Sequence, residues 1–220
     1  MIPLRDTIRS RRFPLVNWMI IIANAIAFFY ELRIGPSVLN DFINNWGLVP
    51  SRFWAEPQTA WVAIFSAMFL HGGWFHILSN MWVLFIFGDN VEDRMGSGSY
   101  LIFYLLSGVA AALTQAFFLP ESSAPMVGAS GAIAGVLGAY MLLFPRARIL
   151  SLVPILFIFT IMEIPAVIFL LFWFASQLFS GFLSLGGASG SGIAWWAHIG
   201  GFIFGLLGVF LFARRRRSRN

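Results

Sequence analysis

The chain has 220 residues, of which 59% are hydrophobic and only 10% are charged, and its mean hydropathy is +0.82. A soluble domain carries about 25% charged residues, so this composition excludes a soluble globular protein and a disordered chain. The absence of Cys excludes a disulfide scaffold, redox chemistry and a thiolate metal site. At roughly 20 apolar residues per helical span, about 130 apolar residues are enough for six transmembrane helices.

The net charge of +5 reflects 14 basic residues, all of them Arg, most of which lie near the two chain ends. With six spans, only Arg33 and Arg52 fall in outer loops, which leaves twelve of the 14 on one side. Such a bias marks the cytoplasmic side of a membrane protein, so we expect the lipid bilayer and no nucleic acid as a partner. We predict a multi-pass protein of a prokaryotic inner membrane with both termini in the cytoplasm.

The apolar runs predict an all-α, six-transmembrane-helix bundle with spans at residues 16–32, 74–87, 100–119, 127–144, 165–182 and 194–213. One domain then covers residues 16–213, between a basic cytoplasmic N-terminus at 1–15 and a basic cytoplasmic tail at 214–220. We expect the first span to be retained, because its small residues lie inside the apolar run and not after it, where a signal-peptide cleavage site belongs.

The connections between the spans differ in composition. The connection at 33–60 is long and rich in Trp, which predicts a structure lying in the membrane interface. A charged loop is predicted at 88–99, and an interfacial or bent segment at 149–160. The Gly-rich stretch at 186–192 is predicted to be a flexible outer loop.

The six-span topology places the few polar groups suited to hydrolysis in the outer leaflet. Spans two, four and six run from outside to inside, and all three His residues of the chain fall at their outer ends. Ser130 opens span four between Gly128 and Gly131, where free helix N–H groups could stabilise an oxyanion. Read alone, a Ser at this position is more often a helix cap or a residue of close helix packing than a nucleophile.

A His inside a transmembrane helix indicates function, because its burial in hydrocarbon is costly. His198 shares a face of span six with Gly201 and Gly205, and such small-residue faces let two helices approach closely. That approach would bring the imidazole within reach of Ser130 as a general base. The alternative is a His that only hydrogen-bonds neighbouring helices.

His76 and Asn80 are four residues apart and project from one face of span two. Both can donate hydrogen bonds, so the pair suits an oxyanion hole, although a polar pair between helices remains an alternative. His71 precedes a Gly-Gly break and could hold the loop in place.

Rival chemistries lack their residues. The chain has no His-Glu-x-x-His motif and no paired intramembrane Asp, which argues against a zinc protease and an aspartyl protease. A transporter or channel would need a polar path across the membrane, whereas these polar groups stop in one leaflet. We therefore expect no metal and no cofactor.

Four motifs in order resemble the rhomboid family of intramembrane serine proteases: residues 69–80 (FLHGGWFHILSN), 87–93 (FGDNVED), 128–133 (GASGAI) and 197–201 (AHIGG). The resemblance covers roughly residues 16–213 and implies a rhomboid-like bundle. It implies a dyad in which Ser130 is the nucleophile and His198 the general base. His76, Asn80 and the Ser130 backbone N–H would form the oxyanion hole.

The resemblance also implies structural support by a further set of residues: His71, Glu92, Arg94, Gly128, Gly131, Gly201 and Gly205. The implied substrates are single-span membrane proteins cut in or near their transmembrane helix, with the Gly-rich outer loop as a cap over the site. A rhomboid-like pseudoprotease that binds clients without cutting them is the second class of function, and it would lack the Ser or the His.

The chain departs from well-known members of the family at two places. Ala134 stands where those members have an aromatic residue stacked under the dyad His. The nearest candidate for an adjacent Trp-Arg pair in the first outer loop is the stretch at 52–54 (RFW).

Overall fold

A computed structural model describes residues 1–155, 158–186 and 192–213. The long helices form a bundle: α1 (Leu15–Arg33), α6 (Trp74–Met95), α7 (Ser97–Phe118), α8 (Ser130–Leu143), α9 (Ala166–Leu185) and α10 (Trp195–Phe212). Between α1 and α6 the chain makes short helices: α2 (Pro36–Trp46), α3 (Pro50–Ala55), α4 (Pro57–Ala60) and α5 (Val62–Ser66), followed by a 3₁₀ turn at Ala67–Phe69. Three strands complete the described chain: β1 (Ile2–Asp6), β2 (Arg148–Ile155) and β3 (Ile158–Pro165).

Within the described residues, four helices are long and apolar enough to cross a membrane: α1, α7, α9 and α10. A fifth candidate is the bent pair Pro57–Phe69 and Trp74–Met95, whose two arms meet at 79°. The apolar helix α8 has 14 residues, or about 21 Å, which is shorter than the roughly 30 Å of a bilayer core. The protein is thus a helical membrane bundle, while the count of six spans stays a prediction.

The loop predicted at 88–99 is wrong, because α6 continues through its charged residues to Met95 and ends at Gly96 with a φ of 82°. The Glu92 carboxylate is buried and accepts hydrogen bonds from the backbone N–H groups of Val16 and Asn17 at 3.1 and 2.8 Å. It also accepts one from the Ser97 hydroxyl at 2.6 Å. These bonds fasten the start of α1 to the end of α6. They also compensate the free-energy cost of burying the Glu92 carboxylate inside the bundle.

A three-stranded antiparallel sheet corrects the all-α prediction and replaces the interfacial or bent segment predicted at 149–160. Strand β2 pairs with β3 from Arg148 opposite Pro165 to Ile155 opposite Ile158. Strand β1 pairs with the other edge of β2, with Ile2 opposite Leu152. The segment 148–165 contains five Ile and two Phe residues, and both residue types favour strands.

The sheet lies at the end of the bundle opposite the start of α8. Asp6 of β1 accepts a hydrogen bond from the Tyr140 hydroxyl, near the end of α8, at 2.5 Å, and another from Asn90 Nδ2 of α6 at 3.0 Å. The N-terminal segment and the connection between α8 and α9 are therefore at the same end of the molecule.

Helix α8 is the centre of the bundle, and every residue from Gly131 to Tyr140 is buried. It crosses α10 at very short range, since a Cβ on Gly201 would overlap the Gly131 carbonyl oxygen and one on Gly205 would overlap that of Gly135. Glycine at these positions is what allows the two backbones to touch.

Two predicted segments lie wholly or mainly outside the described residues. They are the tail predicted at 214–220 and residues 187–191 of the Gly-rich outer loop.

Candidate active site

Ser130 is the first residue of α8, and the turn before it requires glycine. Gly128 has a φ of 121°, which L side chains rarely adopt, and its N–H donates to the Ala67 carbonyl at 2.8 Å. A Cβ at Gly128 would lie 2.6 Å from His76 Nε2. The turn therefore brings the backbone before Ser130 directly against the His76 ring.

The structure brings Ser130 and His198 together. Ser130 Oγ lies 2.8 Å from His198 Nε2, a hydrogen-bond distance, and both side chains are partly buried. The close crossing of α8 and α10 sets this distance, since Gly131 and Gly201 follow the two residues along their helices. A hydroxyl hydrogen-bonded to an imidazole nitrogen is the geometry in which a Ser can be deprotonated as it attacks.

The start of α10 is fixed by a side chain from α7. The Gln115 carbonyl Oε1 accepts a hydrogen bond from the Ala197 N–H at 3.1 Å, one residue before His198. Because the first N–H groups of a helix lack partners within the helix, this bond caps α10 and holds the backbone beside His198.

His76 and Asn80 lie next to Ser130. The Gly72 N–H donates to His76 Nδ1 at 3.3 Å, so a neutral His76 carries its proton on Nε2, the nitrogen that faces Gly128. Asn80 Nδ2 is buried and has no hydrogen-bond partner among the described residues. Two N–H donors are thus available beside the start of α8.

The remaining predicted residues are divided between the two ends of the bundle. His71 is buried near the site, with its ring centroid 5.0 Å from that of His76, and its backbone N–H donates to both oxygens of Glu31 at 3.2 and 3.3 Å. Glu92 and Arg94 lie at the far end of α6, where Arg94 Nη1 donates to the Leu143 carbonyl at 3.5 Å.

A cavity of about 460 Å³ adjoins the site and is lined by Ser130, His198, His76 and Asn80 together with apolar and small residues. Its volume is in the range of small-ligand pockets. An extended segment of a few residues could enter it, with the Ser130 hydroxyl and the two N–H donors on its wall.

Sequence reasoning missed two residues of α9 that contact the imidazole. Gln177 Oε1 lies 2.8 Å from His198 Nδ1, and the ring centroid of Trp173 lies 6.0 Å from that of His198. A Gln in an otherwise apolar span was the available signal for Gln177.

Ala134, where the resemblance to the family implies an aromatic residue, is buried against the glycine face of α10.

The stretch at 52–54 makes two separate contacts. Arg52 Nη2 donates to the carbonyls of Asn45 and Gly47, at 3.3 and 3.1 Å. Trp54 Nε1 donates to the Ala116 carbonyl of α7 at 2.8 Å. These bonds anchor α3 to the preceding turn and to the bundle.

Comparison with known proteins agrees with this architecture. The sequence model described as Rhomboid domain matches residues 58–215. Rhomboid-like protein 11, chloroplastic, of Arabidopsis thaliana is 34% identical over 52% of this chain and 40% of its own length. Rhomboid protein 1, mitochondrial, of Saccharomyces cerevisiae is 31% identical over 68% of this chain and 41% of its own length.

Rhomboid protease GluP of Bacillus subtilis is 34% identical over 54% of this chain and 23% of its own length. The chain thus spans less than half the length of these curated relatives. Its match to the domain nevertheless covers well over half of its own residues. The resemblance in the four motifs is therefore confirmed, and the chain belongs to the rhomboid family.

Proposed function

We propose that this protein is an intramembrane serine endopeptidase that hydrolyses peptide bonds in or near the transmembrane helix of single-span membrane proteins. The observation that carries the proposal is the 2.8 Å hydrogen bond between Ser130 Oγ and His198 Nε2 on the wall of a cavity. Membership of a family with a relative named as a protease, and a bundle of apolar helices, support intramembrane proteolysis.

In the proposed mechanism Ser130 Oγ attacks the substrate carbonyl carbon while its proton moves to His198 Nε2. The tetrahedral intermediate places negative charge on the former carbonyl oxygen. His198 then returns the proton to the leaving amine as the C–N bond breaks, which leaves an acyl ester on Ser130. A water molecule, deprotonated by His198, hydrolyses the ester and restores both side chains.

The oxyanion is assigned to the donors beside the start of α8. His76 Nε2 faces Gly128, and buried Asn80 Nδ2 has no partner among the described residues, so both can donate to a substrate oxygen. Donors held in place before the reaction need no reorganisation when charge develops. The backbone N–H of Ser130 is the third proposed donor.

The proposed setting is a prokaryotic inner membrane with both chain termini in the cytoplasm and the site in the outer leaflet. The Arg distribution supports this orientation. Because α8 is about 21 Å long, its first residue would lie below the membrane surface, and the cavity would give water access to it.

The test is cleavage by purified wild-type protein and by Ser130→Ala of a panel of single-span substrates, together with labelling by a fluorophosphonate. We expect the wild type to cleave and to be labelled, and the variant to do neither while unfolding at nearly the same temperature. Equal labelling of the two proteins would remove Ser130 from the mechanism. A folded wild type that is not labelled and binds substrates without cutting any of them would favour the pseudoprotease.

A further inference from the structure

The imidazole of His198 is held on both sides, and the second partner is an amide. Gln177 lies on α9 with only 6% of its surface exposed. Its Oε1 is 2.8 Å from His198 Nδ1, the same distance that separates His198 Nε2 from Ser130 Oγ. Three side chains from three helices thus form one chain of hydrogen bonds.

The neighbours of Gln177 determine which end of its amide faces His198. Its Nε2 donates to the Ser176 hydroxyl oxygen at 2.9 Å and to the Trp173 carbonyl at 3.2 Å. The Ser176 hydroxyl itself donates to the Trp173 carbonyl at 2.6 Å. A flipped amide would set its oxygen against that carbonyl oxygen, so the network fixes Oε1 toward the imidazole.

This orientation selects one tautomer of the neutral imidazole. An amide oxygen can only accept, so a favourable contact requires the proton on Nδ1 of His198. Nε2 then carries the lone pair, and it is the nitrogen that the Ser130 hydroxyl reaches. In the other tautomer the Nδ1 lone pair would face Oε1, and Nε2 could no longer accept the Ser130 proton.

We propose that Gln177 is a positioning residue that holds His198 in the Nδ1–H tautomer and in the orientation needed to deprotonate Ser130. The effect of Gln177 on catalysis rests on the proposed function, whereas its effect on the tautomer of His198 does not depend on that function. Gln177 acts through His198 and does not line the cavity beside Ser130. Its loss is therefore expected to slow the chemical step and to leave substrate binding unchanged.

The kinetic test compares three variants of the full-length protein with the wild type. Gln177→Leu removes the acceptor and should lower kcat about tenfold with KM unchanged, since a neutral hydrogen bond contributes roughly that factor. Gln177→Glu, in its neutral form, presents an oxygen to Nδ1 again and donates its O–H to the Trp173 carbonyl as the amide does, and should restore most of kcat. Ser184→Ala removes another buried polar group of α9, one whose hydroxyl bonds only the Gly181 carbonyl within the part of the chain that the structure describes, and should behave as the wild type.

The spectroscopic test needs no substrate. The chain has only three His residues, so ¹⁵N-histidine NMR can resolve each ring, and His71→Gln and His76→Gln variants assign the signals. The His198 ring of the wild type should show a protonated Nδ1 and an unprotonated Nε2 above the pH at which the ring becomes cationic. Gln177→Leu should show a mixture of both tautomers, and Ser184→Ala the wild-type spectrum.

Each measurement can overturn the inference. If the NMR spectrum of the wild type showed a neutral His198 protonated on Nε2, the inference would be wrong, even if Gln177→Leu failed to fold. An unchanged kcat in Gln177→Leu, or a raised KM with unchanged kcat, would also contradict it. If the wild type cleaves nothing but shows the Nδ1–H tautomer, the proposed function fails while the positioning by Gln177 stands.

Discussion

At the scale of single residues, His198 and Asn80 differ in whether another group can take over their proposed role. Apart from His198, the chain has only His71 and His76, and neither approaches Ser130 as His198 does. Removing Asn80 leaves His76 and the backbone as proposed oxyanion donors. The base should therefore be indispensable, whereas a single donor should not be.

We expect His198→Ala to lose cleavage to background and Asn80→Ala to keep measurable activity, reduced by about 10²–10³-fold, the usual cost of one oxyanion donor. Turnover of one substrate by wild type and both variants checks this, and labelling by a fluorophosphonate serves as an independent readout of Ser130 reactivity. Equal residual activity in the two variants would show that the base is assigned wrongly.

The sequence could indicate Ser130, His198, His76 and Asn80 because polar groups are conspicuous in apolar runs. It could not indicate the contact between Gln177 and His198. Residue spacing relates groups on one helix, whereas the contact between Gln177 and His198 depends on the rotation of α9 against α10. That rotation results from packing, which no single segment encodes.

At the scale of elements, the contact between α8 and α10 positions the candidate dyad. A methyl group at Gly201 would overlap the Gly131 carbonyl oxygen, whereas the nearest neighbours of one at Gly208 would be the side-chain rings of Phe204 and Phe103, at 3.2 and 3.5 Å. Backbone cannot move aside as a side chain can. The two glycines of α10 should therefore respond differently to the same substitution.

Gly201→Ala should destabilise the protein by about 1–3 kcal/mol, the usual cost of overpacking, and should reduce Ser130 labelling by widening the Ser130–His198 distance. Gly208→Ala is the matched control and should remain close to wild type in both respects. Thermal unfolding in detergent and the labelling rate are the two measurements. A Gly201→Ala protein as stable and reactive as Gly208→Ala would show that the helices do not depend on this close contact.

The sheet end of the molecule contains a carboxyl group with a raised pKa, that of Asp6, which lies outside the spanning helices. Burial raises the pKa of Asp6 from 3.8 to about 6, partly opposed by the hydrogen bond from the Tyr140 hydroxyl, with the nearby Asp89 raising it further. The folded protein therefore binds this proton more tightly than the unfolded chain does. Stability from this group falls as the pH rises from about 4 to about 6.

Asp6→Asn keeps an oxygen that accepts from Tyr140 and Asn90 and removes the buried charge. Between pH 4 and 6 we expect the wild type to lose stability from this group and the variant not to. Above pH 6 the variant should therefore be more stable than the wild type. Thermal unfolding across pH 4 to 8 measures it, with Asp41→Asn on exposed α2 as the control. A wild-type profile that is parallel to that of Asp6→Asn would contradict the assignment.

At the scale of the whole molecule, the sequence predicted the positions of the long helices well and the three-stranded sheet not at all. Apolar runs bounded by charges and Pro locate helices to within a few residues in most cases. The exception is α6, which runs past its charged residues because Glu92 finds partners in α1 and α7. The sheet needs β1 to pair with β2, which lies almost 150 residues away in the chain. Local composition does not indicate a pairing between segments so far apart.

The sheet also bears on orientation, because it joins the N-terminal segment to the connection between α8 and α9 at one end, while Ser130 lies at the other. With the Arg bias, this predicts that the sheet end is cytoplasmic and the site end is outside.

The Cys-free chain allows a direct test of this orientation with single Cys substitutions at two exposed positions. An impermeant thiol reagent applied to intact cells should label Ser123→Cys, in the connection before α8, and should not label Arg11→Cys. Disrupting the cells should expose both positions, which shows that each Cys is reactive. Labelling of Arg11→Cys in intact cells would reverse the orientation and place the candidate site on the cytoplasmic side.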